Sequence, residues 1–197
     1  MEGRASMDNA EPLLQAIEII ARAAAPAGAQ WLIGGSTGLL LRGLELAVPP
    51  RDLDLYADDE AAGIMHEALR AYAVDEPQLS VSPIYRSVLS HYNVSGVQVE
   101  LVGGFVVESG SNRYAVEVED VLNPLRTPVA AGPYTVGVAP LAHELWFNVL
   151  RAREDRVALI AARMRKEQGL HTDALRLIAS RNRLSAELRQ HVSQLLI

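Results

Sequence analysis

Three groups of residues in this chain have the types and spacing to do chemistry together. They are the run Gly34-Gly35-Ser36, the pair in Asp52-Leu53-Asp54 that begins sixteen residues after the serine, and Glu100 within Val99-Glu100-Leu101. On a strand, residues two apart project to the same face, so Asp52 and Asp54 stand side by side where they can share metal ions. Their oxygens suit Mg²⁺ or Mn²⁺, hard cations that keep waters and substrate phosphates in their remaining positions. Glu100 shares the parity of Gln98 and opposes that of Val97, Val99 and Leu101, so it can face the acidic pair from a neighbouring strand while its apolar neighbours enter the core. Three bare carboxylates at one place repel, one of them is expected to have a raised pKa, and two divalent cations remove the conflict. Such ions, roughly 3.5–4 Å apart, activate an attacking hydroxyl with one member and hold a triphosphate and its leaving oxygen with the other. Gly34 and Gly35 let a phosphate approach the backbone, and the amides opening the next helix, with the Ser36 hydroxyl, bind its oxygens.

The elements that must position these groups can be read from periodicity. Leu13, Leu14, Ile17, Ile20, Ala21 and Ala24 lay an apolar stripe on a packing helix that ends near Pro26-Ala27-Gly28. Trp31 to Ile33 reads as a short strand, followed by the glycine turn and a helix from Ser36 through Leu41. Asp52 to Tyr56 alternates with period two, and Asp58 starts a helix to about Tyr72. From Tyr85 to Val138 come short alternating runs, Val97 to Val102, Phe105 to Val107, Tyr114 to Val118 and Tyr134 to Val138, read as strands of one mixed or antiparallel sheet. Pro140 opens a helical region carrying Leu141, Leu145 and Val149, then Val157, Ile160, Ala161 and Met164, with short helices near Thr172 to Ser180 and Ser185 to Leu196.

A chain of 197 residues with 49% hydrophobic and 21% charged content supports one core of moderate size. With no cysteine, disulfides, thiolate catalysis and cysteine-ligated zinc or iron–sulfur sites are excluded. Apolar stretches such as Ala21 to Ala29 are broken by Arg22 and Pro26 and fall short of the ~20 residues of a membrane helix. Met1 to Asn9 carries Glu2, Arg4 and Asp8 without a signal-peptide core, so a cytoplasmic protein is expected. Residues 1–150 hold 8 Arg and 19 Asp or Glu, a balance of −11, whereas 151–197 hold 10 Arg or Lys and 5 Asp or Glu, a balance of +5. A basic tail on an acidic body suits a phosphate-rich partner such as RNA, or packs against that body.

Competing chemistry fails on residue type. A phosphate-binding loop of the Gly-x4-Gly-Lys-Ser/Thr kind is absent, because the one lysine is Lys166, far from any glycine turn. A calcium loop starting at Asp52 would need glycine and glutamate where Ala57 and Gly63 stand. A dehalogenase-type aspartate nucleophile should follow a buried apolar strand, yet Pro49-Pro50-Arg51 precedes Asp52. A serine-hydrolase reading of Ser36 lacks the Gly-x-Ser-x-Gly elbow. His66, His91, His143, His171 and His191 show no metal-ligand spacing and read as packing or surface residues, and Trp146 and Phe147 as core or docking residues. Glu117 and Glu119 alternate with valines as an exposed strand face, and either replaces Glu100 if the strand order differs from the one expected.

The runs Trp31-Leu-Ile-Gly-Gly-Ser-Thr-Gly-Leu-Leu-Leu-Arg-Gly, Pro50-Arg-Asp-Leu-Asp-Leu-Tyr and Val97-Gln-Val-Glu-Leu together resemble the nucleotidyltransferase superfamily typified by DNA polymerase beta. More narrowly, they resemble small bacterial nucleotidyltransferase-like proteins related to aminoglycoside adenylyltransferases and toxin–antitoxin nucleotidyltransferases. The resemblance spans about residues 30–165. It implies an α/β (α+β) fold in which a mixed-sheet nucleotidyltransferase core, residues 10–139, carries a C-terminal helical tail, residues 140–197. It also implies transfer of a nucleoside monophosphate from an NTP, with ATP the expected donor, to an acceptor hydroxyl on RNA, protein or a small molecule, with release of pyrophosphate. Asp52 and Asp54 match the metal-binding pair, Glu100 the third carboxylate that would also serve as base, and Gly34, Gly35 and Ser36 the phosphate turn. Arg42 and Arg51 lie outside the strict motif and are assigned to phosphate because guanidinium suits oxyanions. The extra basic or aromatic substrate loops of the aminoglycoside enzymes are not found in the sequence. A second reading keeps the fold as a weakly active or inactive binding or regulatory module, such as one component of a toxin–antitoxin pair.

Overall fold

Alternation along the motif strands decides how the molecule is layered. In β2 (Asp52–Ala57), Leu53 and Leu55 are fully buried on one face, while Asp52 and Asp54 stand half-buried on the other. The structure, a computed structural model, describes residues 11–167 and 169–197, so the reading of Met1 to Asn9 lies outside the described residues. Helix α1 (Glu11–Ala24) leads to β1 (Trp31–Ile33) and α2 (Gly35–Leu41), and β2 is followed by α3 (Asp59–Leu69). Then come β3 (Gln78–Val81), β4 (Tyr85–Val94), β5 (Val97–Ser109), β6 (Asn112–Ala115), β7 (Thr127–Ala131) and β8 (Tyr134–Val138). The chain ends in α4 (Leu141–Leu150), α5 (Glu154–Lys166), α6 (Thr172–Arg181) and α7 (Ala186–Leu195).

The eight strands form one mixed sheet in the order β3-β4-β5-β2-β1-β8-β7, with β6 paired to β5. β2 runs parallel to β5 and β1 parallel to β8, and the other pairs are antiparallel. α1 and α3 cover one face, where Ile17, Ile20, Met65 and Leu69 pack with Leu53, Leu55, Val99 and Leu101. α2 and the C-terminal helices cover the other, where Leu39, Leu145, Phe147 and Ile160 pack with Tyr56, Val102 and Val107. Nine of the ten residues of α4 are buried, so this helix is interior to that second core.

Several elements differ from the periodicity reading, β3 and β4 among them, since both lie outside the runs read as strands. Val97–Val102 and Phe105–Val107 are one strand, because Gly103 and Gly104 carry the extended chain through; Gly104 sits at φ +53° with the Asp59 carboxylate 2.2 Å from where a Cβ would be. Tyr114 to Val118 divides into β6 and a helical turn at Val118–Leu122, whose first amides, Val118 and Glu119, donate to the Asp58 carboxylate at 2.9 Å each. Strand β7 contains Pro128, which weakens a strand signal, but β7 lies at the sheet edge where the missing N–H is tolerated.

Candidate active site

The parallel pairing of β2 with β5 aligns Asp54 with Glu100 and Asp52 with Gln98. Since Val99 and Leu101 enter the α1/α3 core, Glu100 must emerge on the face that carries Asp52 and Asp54. That face floors a cleft of about 430 Å³, roofed by α4 and its turn into α5. Asp52, Asp54, Glu100, Gly35 and Ser36 all line it.

The glycine turn interlocks with the floor. Gly35 adopts φ +58°, and a Cβ there would lie 1.8 Å from Asp54 Oδ2. A Cβ on Gly34 would meet the Tyr56 ring at 2.0 Å. The Gly34 amide donates to the Asp54 carbonyl at 3.0 Å, and the Gly35 amide donates to Glu144 Oε1 at 2.9 Å. Both glycine amides are therefore engaged within the protein, and the group that the turn offers to the cleft is Ser36.

On α4 and its C-terminal cap, Glu144, Phe147, Asn148 and the cap residue Arg151 follow at i, i+3, i+4 and i+7, and all four line the cleft together with Arg153 and Arg156. Glu144 is only 2% exposed and accepts from Asn148 Nδ2 at 3.3 Å. Arg151 Nε donates to the Tyr85 hydroxyl at 3.1 Å, and its guanidinium lies 4.8 Å from the Phe147 ring centre and 5.5 Å from that of Tyr85. Burial, with Asp52 and Glu100 adding repulsion and Arg151 opposing it, pushes the Asp54 carboxyl up to about 7. Burial likewise pushes Glu144 up to about 7, opposed chiefly by its bond from the Gly35 amide.

Other residues singled out in the sequence stand elsewhere. Arg42 donates to Thr127 Oγ1, and Arg51 is exposed outside the cleft lining. Glu117 pairs with Arg181, and with Asp58, Glu119 and Asp120 it borders a separate concavity of about 160 Å³. His91 bonds to Asp75 Oδ2 at 2.6 Å and approaches Glu100 Oε1 at 4.0 Å. Trp146 is buried and donates to the Leu175 carbonyl at 3.3 Å, whereas Phe147 serves both core and cleft. Sequence reasoning missed Glu144, Asn148, Arg151, Arg153 and Arg156. A signal existed: polar residues at helical spacing within an otherwise apolar run, directly before two further arginines.

Among the described residues no three His, Asp or Glu side chains are gathered into a ready-made cation cluster. Asp52, Asp54 and Glu100 nonetheless fit a divalent ion by donor type: hard oxygens on one face, repelling one another, with space for the waters and phosphates that Mg²⁺ retains. No helix among the described residues is long and apolar enough to cross a membrane.

No protein-family model and no curated protein sequence matches the chain. Among solved structures, it is similar to a Thermotoga maritima protein proposed to be a nucleotidyltransferase, with a TM-score of 0.56 and 18% identity over 75% of this chain and 86% of that one. Weaker likenesses are to ANT(2″)-Ia in complex with adenylyl-2″-tobramycin, at 0.46 and 12% over 82% and 96% of the two chains, and to an antigenic nucleotidyltransferase-like protein from Paracoccidioides brasiliensis, at 0.47 and 13% over 94% and 92%. At these identities the likeness is one of architecture: the chain has the nucleotidyltransferase fold, as its motifs led us to expect.

Proposed function

We propose that this protein is a metal-dependent nucleotidyltransferase that moves a nucleoside monophosphate from an NTP, with ATP the expected donor, to an acceptor hydroxyl. The observation that carries the reading is the register of β2 with β5, which sets Glu100 beside Asp54 on the floor of a cleft walled by three arginines. Asp52, Asp54 and Glu100 would hold Mg²⁺ or Mn²⁺, whose charge and Lewis acidity polarise the α-phosphate. Glu100 accepts the proton of the acceptor hydroxyl, whose oxygen forms the new bond to the α-phosphorus as the bond to the bridging oxygen breaks and pyrophosphate leaves. Arg151, Arg153 and Arg156 bind the phosphates that depart, and the Ser36 hydroxyl donates to a phosphate oxygen. We assign residues 10–139 to the transferase body and 140–197 to a helical tail whose first member, α4, closes the cleft. The acceptor hydroxyl belongs to RNA, a protein or a small molecule. The cytoplasm supplies the NTP and Mg²⁺ that the reaction needs.

The test is thermal stability with ATP, CTP, GTP and UTP, each with and without Mg²⁺, for wild type and the Asp52→Asn/Asp54→Asn variant. A nucleotide at ~100 times its dissociation constant adds about 2.7 kcal/mol. The expected result is an Mg²⁺-dependent rise in the melting temperature with at least one nucleotide, abolished in the variant. If no nucleotide shifts the wild type at saturation, transfer is refuted and the binding or regulatory module becomes the reading.

A further inference from the structure

We propose that Glu144 is a positioning residue of this site: reaching from α4, its carboxylate fixes the Gly35 turn and through that turn seats Asp54. The inference rests on the metal-dependent reading above. Glu144 and Gly35 are 109 residues apart, yet the Gly35 amide is 2.9 Å from Glu144 Oε1. A buried carboxylate is costly to keep without a partner, and this one has two: the Gly35 amide on Oε1 and Asn148 Nδ2 on Oε2 at 3.3 Å. Asn148 Nδ2 also donates to the Glu144 carbonyl at 2.8 Å, which ties the orienting amide to the helix itself.

The coupling to Asp54 is steric and backbone-borne. Glycine is the residue whose φ is least restricted, so the left-handed state of Gly35 needs an outside hold to be unique. Once held, Gly35 packs so closely on Asp54 that no Cβ fits between them, while the Gly34 amide grips the Asp54 carbonyl at 3.0 Å. Turn and strand therefore shift together. Ser36, the next residue, is aimed into the cleft by the same hold. Glu144 acts on Asp54 only through the turn, which distinguishes it from the carboxylates of the floor.

The experiment measures Mn²⁺ affinity of the full chain without nucleotide, from the electron paramagnetic resonance signal of free Mn²⁺, for wild type, Glu144→Gln, Glu144→Ala and Asn148→Ala. A cooperative thermal transition for each variant checks the fold. Glutamine still offers an oxygen to the Gly35 amide, so Glu144→Gln should bind within about twofold of wild type, whereas Glu144→Ala should bind tenfold or more weakly, in the range of roughly 10–100-fold that residues orienting metal ligands command. Asn148→Ala, which loosens Glu144 without removing it, should fall between them. Wild-type affinity in Glu144→Ala overturns the proposal, and so does a loss in Glu144→Gln equal to that in the alanine variant, because charge rather than the held turn would then be responsible. If Glu144→Ala does not fold, unchanged affinity in Asn148→Ala overturns it instead. A wild type that binds no Mn²⁺ overturns the reading of the site itself, an outcome distinct from a wild type and an alanine variant that bind alike.

Discussion

The floor and the roof of the cleft are charged in opposite ways and held in opposite ways. On the floor, Asp52, Asp54 and Glu100 face one space with mutual repulsion, and Arg151 is the cation that offsets it at Asp54. On the roof, each charged group already has a partner: Glu144 has the Gly35 amide and Asn148, Arg151 has the Tyr85 hydroxyl and two aromatic faces, and Arg153 and Arg156 lie 3.5 and 3.7 Å from Asp155. The difference teaches which side awaits outside charge. The floor gains most from a bound cation, while the roof is arranged in advance to meet anions, so metal and triphosphate would complete the site from opposite sides.

The comparison can be broken most severely at the point where floor and turn touch. Gly35→Ala forces a Cβ into the left-handed region and against Asp54 Oδ2, so a loss of about 2–4 kcal/mol in denaturant-monitored stability is expected. An unchanged midpoint would show that turn and floor are not interlocked. On the roof, Arg151→Ala should weaken nucleotide binding by calorimetry at least ~10-fold, the scale of a lost charge-assisted hydrogen bond, and Arg153→Ala or Arg156→Ala less. Arg42→Ala and Arg51→Ala should leave that affinity unchanged, since neither residue lines the cleft. Equal losses in Arg42→Ala and Arg151→Ala would reverse the assignment.

A third test reaches the packing behind the roof. His143 is fully buried among Tyr56, Tyr114 and Phe147, shares a 2.8 Å hydrogen bond with the Tyr114 hydroxyl, and is held by burial down to about 3. Between that value and the ordinary histidine value near 6.5, the unfolded chain binds a proton that the folded chain refuses, so this residue makes stability fall as pH falls through the window. The stability difference between wild type and His143→Phe should therefore change with pH by at most ~1.4 kcal/mol per unit from pH 6.5 to 4, in the direction of a variant less sensitive to acid. A constant difference across the window would mean that His143 titrates alike in both states. The smallest effect concerns the turn that presents the arginines. Ala152 sits at φ +53°, so Ala152→Gly should raise stability by about 0.5–1 kcal/mol without altering nucleotide affinity.

How legible these features were in the sequence follows the range of the forces that place them. Asp52 and Asp54 were legible because period-two alternation is local, and Leu53 and Leu55 mark the buried face. Glu100 was legible by the same parity, although its place beside Asp54 depended on β5 crossing to lie parallel to β2. The arginines show the converse. Arg42 and Arg51 flank the motifs in sequence, but α2 turns Arg42 toward Thr127 on β7, while Arg151 arrives from a helix nearly a hundred residues beyond β2. Glu144 was hidden for a related reason: in an apolar helix it could be read as a solvated position, and docking of α4 on the sheet buries it against Gly35.

The sequence by itself determined the parts whose cause is local. Alternation set the faces of β2 and β5, and the absence of cysteine closed whole classes of chemistry. The mixed-sheet fold was implied by the resemblance of the motifs. Tertiary structure alone decided which strands became neighbours, which arginines reached the cleft, and that both amides of the glycine turn are engaged within the protein. Those outcomes depend on contacts between residues far apart in the chain, where packing of α4 on the sheet selects among side chains that local pattern leaves equivalent.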